Sequence, residues 1–196
     1  MLRRRVAAGL VVAIAVAGGS GCGDDGPASA RETQSARGMV VGPLCDALPS
    51  GDDPGAPASL TDEPADVVLQ WIPVVTTFEA AVRASGLAGY LRKAEGVTIL
   101  APTDDAFAAA FDRQRLDDLL LTRRRELRAL VETHIIEGSS PLAALRDAGS
   151  VTTLAGDTLA VTRAGAMARL DHAATTVCAD YAAANASIHV IDGVLR

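Results

Sequence analysis

The sequence predicts an α+β fold, with helices gathered in the first half of the folded part and strands in the second. Three observations carry this expectation. Apolar residues recur at helical spacing between residues 65 and 134, as in Val75, Phe78 and Val82. Beyond residue 150, short strand-like runs alternate with turn signals. Two stretches then frame the whole: VTILAPTDDAFAAAF at residues 97–111, a strand turning into a helix, and IHVIDGVL at residues 188–195, an apolar closing strand.

Taken in order, residues 65–71 and 74–85 read as helices parted by Pro73. In the following strand Val97, Ile99 and Ala101 point one way and Thr98 and Leu100 the other. Pro102 has no ladder donor and ends it. Thr103 stands where an N-cap belongs, with Asp104 and Asp105 in the first turn, where the helix dipole favours negative charge. Phe107 and Phe111 share a face of that helix. Leu116, Leu119 and Leu120 come next, then a helical pattern over residues 123–134 with Leu127, Leu130, Val131 and His134 in one stripe. Ser140-Pro141 opens a short helix as N-cap and first-turn proline. Residues 151–154 and 158–162 read as a hairpin around Gly156-Asp157, and strands near 168–172 and 175–178 precede the last one. No internal repeat is visible.

The 196 residues allow one ordinary domain and a tail. Residues 1–21 read as a signal segment: Arg3-Arg4-Arg5, then a short apolar run over residues 6–17 that cannot span a bilayer as a helix. Gly19-Ser20-Gly21-Cys22 is similar to a bacterial lipobox, which makes Cys22 the candidate lipidation site. Ala15-Val16-Ala17 offers an ordinary cleavage site instead, and with it simple secretion. Residues 22–66 are rich in Gly, Pro, Ser, Ala and Asp and read as a tether, interrupted by the apolar island MVVGPLC at residues 39–45 that should dock on something. Residues 67–196 form the expected domain. Of the three cysteines, lipid on Cys22 would leave Cys45 and Cys178 as one pair, which suits an exported chain.

Without residues 1–21 the chain holds 15 basic and 24 acidic residues, a net charge of −9. With no basic stripe, it is a poor nucleic-acid binder and a poor partner for anionic lipid. No GxSxG elbow follows the signal segment, and no HExxH, CxxC pair or calcium-loop pattern occurs. Asp104-Asp105 and Asp117-Asp118 are adjacent pairs, which splay on a helix and make poor glycosidase partners; the helix N-terminus accounts for the first and a solvated face for the second. Arg123-Arg124-Arg125 is an exposed run that should pair with Asp117 and Asp118. His134 lies on its helix stripe and His189 in a strand, opposite the face of Ile188 and Val190, so both read as structural. Asn185-Ala186-Ser187 is a formal glycosylation sequon. No catalytic residue, metal site or cofactor is expected.

The stretches at 97–111 and 188–195, with THIIEG at 133–138 between them, resemble the signature boxes of the fasciclin domain, in order and over the whole of residues 67–196. That resemblance implies a β-wedge with helices packed on it. Thr103, His134, His189 and Asp192 stand at family-motif positions. Thr133 replaces the tyrosine that precedes the histidine in the family, so adhesion that depends on that tyrosine does not carry over. GPLCDALPSG and ATTVCADYAAANASIHVIDGVL also resemble a mycobacterial group of exported fasciclin proteins, some lipid-anchored and some secreted. In that group the two cysteines pair, which implies a Cys45–Cys178 disulfide. The resemblance implies a lipid-anchored extracytoplasmic module for adhesion, binding an envelope or host-cell protein or glycan. It also offers the exposed edges of the box strands and the helix at Thr103 as the contact surface. The alternative is a carrier or sensor of a small apolar ligand such as a lipid or pigment, which needs an apolar cleft that the core leaves open.

Overall fold

The computed structural model describes residues 39–196; the expected signal segment at residues 1–21 and the candidate lipidation site Cys22 lie outside the described residues. Three helices come first: α1 (Ala65–Trp71), α2 (Thr76–Ser85) and α3 (Ala88–Lys93), the last not anticipated from the pattern. Gly86 ends α2 at φ 83°, and the N–H of Leu87 reaches back to the Val82 carbonyl at 3.1 Å, which satisfies a carbonyl the helix leaves open. Strand β1 (Val97–Pro102) follows, then α4 (Asp104–Ala110), α5 (Arg113–Leu121) and α6 (Arg124–Glu132). The remainder is β2 (Ile135–Glu137), α7 (Leu142–Asp147), β3 (Ser150–Thr152), β4 (Thr158–Ala164), β5 (Met167–Leu170), β6 (Ala174–Ala183) and β7 (Ala186–Ile191).

The strands form one sheet in the order β2-β1-β7-β6-β5-β4-β3. β1 and β7 run parallel, and every other neighbouring pair is antiparallel. The two ends of this sheet meet. Ile136 bridges Thr153, and the N–H of Leu154 donates to the Ile135 carbonyl at 2.7 Å. The sheet is therefore nearly closed, which leaves little strand edge to aggregate. The expected exposed edges of the box strands do not exist: β1 is flanked by β2 and β7, and β7 by β1 and β6.

Burial explains the composition of β1, whose six residues are all buried. Val97, Ile99 and Ala101 join Phe78, Leu91, Phe107 and Leu127 in the main core under the helices. Leu100 faces a second cluster with Leu142, Leu145 and Leu170. A strand covered on both faces is apolar throughout rather than alternating.

Several boundaries differ from the expectation: α6 stops at Glu132, leaving His134 beyond the helix, and β6 runs on to Ala183 rather than ending near Cys178. β7 begins at Ala186 and ends at Ile191 rather than running to Leu195. Asp192 turns the chain there: its carboxylate accepts the Thr175 N–H at 2.6 Å while its own N–H donates to the Thr175 carbonyl at 3.0 Å. Ser140 is not the cap of α7. Pro141 holds the N-cap position, Ser140 donates its N–H to Thr98 Oγ1 at 2.9 Å, and the open N–H of Leu142 is taken by Asp180 Oδ1 at 2.7 Å. Upstream, Leu48, Ala56 and Leu60 are buried, so the packed unit starts well before residue 67.

Cys45 and Cys178 form a disulfide, with Cα atoms 5.1 Å apart and a sequence separation of 133. The apolar island is thereby fastened to β6. Val41 exchanges both backbone hydrogen bonds with Ala179, at 3.1 and 2.8 Å.

Tyr181 is the largest fully buried side chain, and its hydroxyl has no partner among the described residues. Burial pushes its pKa up to about 12. Removing an unsatisfied hydroxyl costs no hydrogen bond. Tyr181→Phe is therefore expected to hold or raise stability by up to about 1 kcal/mol. A denaturant midpoint that falls clearly below wild type would mean the hydroxyl has a partner after all.

Candidate functional site

The motif residues hold the frame together. Thr103 caps α4, its Oγ1 accepting the Ala106 N–H at 3.1 Å, and its own N–H donates to the Ile191 carbonyl at 3.0 Å. The ends of the first and last boxes therefore touch. Asp104 stands in the first turn of α4, as the sequence suggests, and serves a second helix as well. Its carboxylate accepts the Thr77 N–H at 2.6 Å and the Thr76 hydroxyl at 2.8 Å, capping α2 from across the fold. Burial opposes ionisation there, but these Thr77 and Thr76 donors outweigh it and hold the carboxyl below its ordinary range.

His134 is fully buried against Phe78, with ring centroids 5.7 Å apart. Its Nδ1–H donates to the Leu130 carbonyl at 2.7 Å, and Nε2 accepts the Leu195 N–H at 3.0 Å. That pattern requires the neutral ring with its proton on Nδ1. Burial pushes the pKa down to about 4 against the weaker pull of the Leu130 carbonyl. His189 is also fully buried, with Nε2–H on the Ser140 carbonyl at 2.9 Å and Nδ1 accepting the Asp180 N–H at 3.2 Å. Burial lowers its pKa as well. The sheet separates the two rings: His134 packs with Phe78 of the main core, whereas His189 lies in register with Leu100 of the second cluster. Each ring has both nitrogens committed to backbone groups, so neither is free to act as a base or a ligand.

Asn185 carries more structure than its place in a sequon suggests. Its Oδ1 accepts the Ala65 N–H at 3.0 Å, while Nδ2 donates to the Leu91 and Ala94 carbonyls at 2.7 and 3.0 Å. One side chain thus caps the start of α1 and the end of α3 from the β6–β7 turn. A glycan on this nitrogen would replace one of its two hydrogens and so remove one of the two donations. Asn185→Ala leaves three backbone groups without partners and is expected to cost about 3 kcal/mol, near 1 for each bond. Asn185→Asp keeps the acceptor and loses both donors, so it should cost nearly as much. Thermal unfolding of the two variants checks this; near-wild-type melting of both would refute the triple role.

The arginine run is also used differently from the expectation. Arg123 pairs with Glu126 at 3.5 Å and Arg124 lies over Gly86, and the carboxylates of Asp117 and Asp118 form no ion pair with the run; Asp118 meets it only through its carbonyl, which accepts the Arg123 N–H at 3.0 Å. Of the exposed surface, one concavity stands out. It is a groove of about 680 Å³ between the end of α4, the helices α5 and α6, and the β3–β4 turn. Phe111, Leu119 and Leu130 supply an apolar floor. Exposed Ala129 keeps the α6 wall low. Arg115 and Glu126 form an ion pair on one side, and on another Arg196 sits 4.7 Å above the Phe111 ring while donating to the Ala110 carbonyl. Thr133 lines the same groove. This volume is in the usual range for a ligand site, apolar with a few convergent polar groups. No local pattern in the sequence marks it, because five separate segments supply its walls. Among the described residues, no group of three or more His, Cys, Asp or Glu side chains is placed to hold a metal.

A family model described as the fasciclin domain matches residues 73–196. The immunogenic protein MPB70 of Mycobacterium bovis is 30% identical over 173 residues, covering 82% of this chain and 84% of that protein. The immunogenic protein MPT70 of Mycobacterium tuberculosis matches with the same figures. The protein sll1483 of a Synechocystis strain is 34% identical over 121 residues, 61% of this chain, and the chain spans 66% of that protein's length. Among solved structures, a FAS1 domain pair from the insect cell adhesion molecule fasciclin I matches 62% of this chain and 45% of its own, at 22% identity and a TM-score of 0.47.

Proposed function

Because the chain belongs to the fasciclin family, we propose that it is an extracytoplasmic binding module, held at the cell envelope by lipid on Cys22, that captures an envelope or host-cell protein or glycan. It does so without covalent chemistry. The observation that carries this reading is the contrast between the groove and the histidines. The groove is open and apolar with charged walls, whereas the buried imidazoles are spent on backbone hydrogen bonds. A floor of Phe111, Leu119 and Leu130 suits the desolvated centre of a protein contact, and the arginines around it suit the rim.

Filling the groove tests this directly. Ala129 is exposed, so Ala129→Trp should leave melting unchanged while it blocks the groove. Retention of a partner from envelope extracts of the producing cell should fall about tenfold, the scale of losing one anchor contact. Unchanged retention would place the contact elsewhere. For the anchor, Cys22→Ala should move the protein from the membrane fraction to the medium, since two acyl chains hold firmly where one does not.

The same groove favours a second reading, a carrier of a small apolar molecule. Mass spectrometry of protein taken from its own envelope separates the two: a stoichiometric lipid or pigment lost in Ala129→Trp supports the carrier, and a captured protein or glycan supports the module.

A further inference from the structure

The strap at residues 39–48 lies on β6 as a short strand would. Val41 N–H donates to the Ala179 carbonyl at 3.1 Å, Ala179 N–H to the Val41 carbonyl at 2.8 Å, and Leu44 N–H to the Val177 carbonyl at 2.9 Å. β6 needs this cover. Its first residues pair with β5 through Ala174 and Thr175 only, and from Val177 to Ala179 the strand edge on that side has no other strand. The fit is selective. Gly42 adopts φ 145° directly against β6, and a side chain there would overlap the Val177 carbonyl oxygen and the Cys178 Cα. The next anchor is covalent, Cys45 to the fully buried Cys178. Around these contacts the strap exposes 70% of Met39 and 46% of Val41, so little apolar burial holds its leading end.

We propose that the Val177–Ala179 edge of β6 is a strand-acceptor site, filled in cis by the strap and locked by the disulfide, which opens to an extended peptide when that bond is reduced. The peptide it takes has glycine at the position of Gly42, preceded by a β-branched residue that pairs with Ala179. Opening requires a dithiol reductant. One of its thiolates attacks a sulfur of the Cys45–Cys178 bond, its second thiol releases the mixed disulfide, and it leaves as its own disulfide while Cys45 and Cys178 each end as thiols. Two electrons pass to the protein. The strap's leading end then remains near β6 by its backbone bonds and the partly buried Val40 and Leu44, with Leu48 still anchored in the core behind it, and it competes with an incoming strand through effective concentration.

Two measurements on the full chain test the site. Hydrogen exchange at the Ala179 amide should become about tenfold faster on reduction, while the amides of β1 and β7 keep their protection. A fluorescent synthetic peptide copying residues 38–48, with Cys45→Ser, supplies the second readout. It should not bind the oxidised chain, should bind the reduced chain weakly, and should bind about tenfold tighter to a Gly42→Val/Cys45→Ser chain, whose own strap cannot seat. The same peptide carrying Gly42→Val should bind none of them. An Ala179 amide equally slow to exchange in both redox states would overturn the proposal. So would a folded Gly42→Val/Cys45→Ser chain that ignores the wild-type peptide, or one that binds both peptides alike.

Discussion

His134→Ala is expected to lower the unfolding free energy by about 4 kcal/mol. Two effects add. Removing a fully buried ring leaves a cavity beside Phe78, a loss of the kind seen when large core side chains are cut to alanine. The Leu195 N–H also loses its acceptor in a place water does not reach, which costs about 1–3 kcal/mol. For a domain of this size, each kcal/mol lowers the melting temperature by about 2–4 °C, so a fall near 10 °C should be seen by calorimetry. A variant that melts like wild type but loses its partner would make His134 a contact residue. The same ring predicts a pH dependence. Its folded pKa lies near 4, below the ordinary 6.5 of the unfolded chain, so between those values the unfolded state binds the proton and the folded state does not. Stability is thus complete above about pH 6.5 and declines as pH falls toward 4, by about 3 kcal/mol from this group. His189 shifts in the same direction and steepens the decline. Urea midpoints at pH 7, 5.5 and 4.5 should fall in that order, and His134→Gln should flatten the curve.

Loss of the disulfide should be the most costly single covalent change. The bond closes a loop of 133 positions, for which the chain-entropy model gives about 5 kcal/mol, an upper figure because residual structure in the unfolded chain reduces it. Most of that effect lies in the unfolded state, so the folded β-sheet and helices of the Cys45→Ser chain should survive with the strap loosened. Guanidinium titrations of oxidised and Cys45→Ser protein check this through the midpoint shift. Exported protein with two free thiols at Cys45 and Cys178 would remove the basis of the prediction.

Thr103 shows what could be read in advance. Its cap bond runs three residues along the chain, within the geometry of one helical turn. The stripe of Leu127 and Val131, with Leu130 half-buried beside them, was equally visible, since burial on a helix follows its period; His134 is buried too, but beyond the end of α6, where the chain turns into β2. Asp104 shows the limit. Its place in the first turn of α4 could be read, but not that its acceptor oxygens also serve Thr76 and Thr77, nearly thirty residues away.

Asn185 is the extreme case, joining Ala65 across 120 positions and Leu91 across 94. A side-chain amide has no periodicity to betray such a role. The groove follows the same logic: Phe111, Leu119, Leu130, Asp157 and Arg196 have nothing in common along the chain and become neighbours only when the sheet closes. Family, most element types, the inward residues of each helix and the cysteine partners follow from patterns and motifs that repeat within a few residues or match known boxes. Which strands flank β1, where Asp104 and Asn185 form their bonds, and where a ligand-sized groove opens depend on contacts between distant segments. Those are set by how the chain packs its apolar faces together, because hydrophobic burial is non-directional and selects the whole arrangement rather than any single pair.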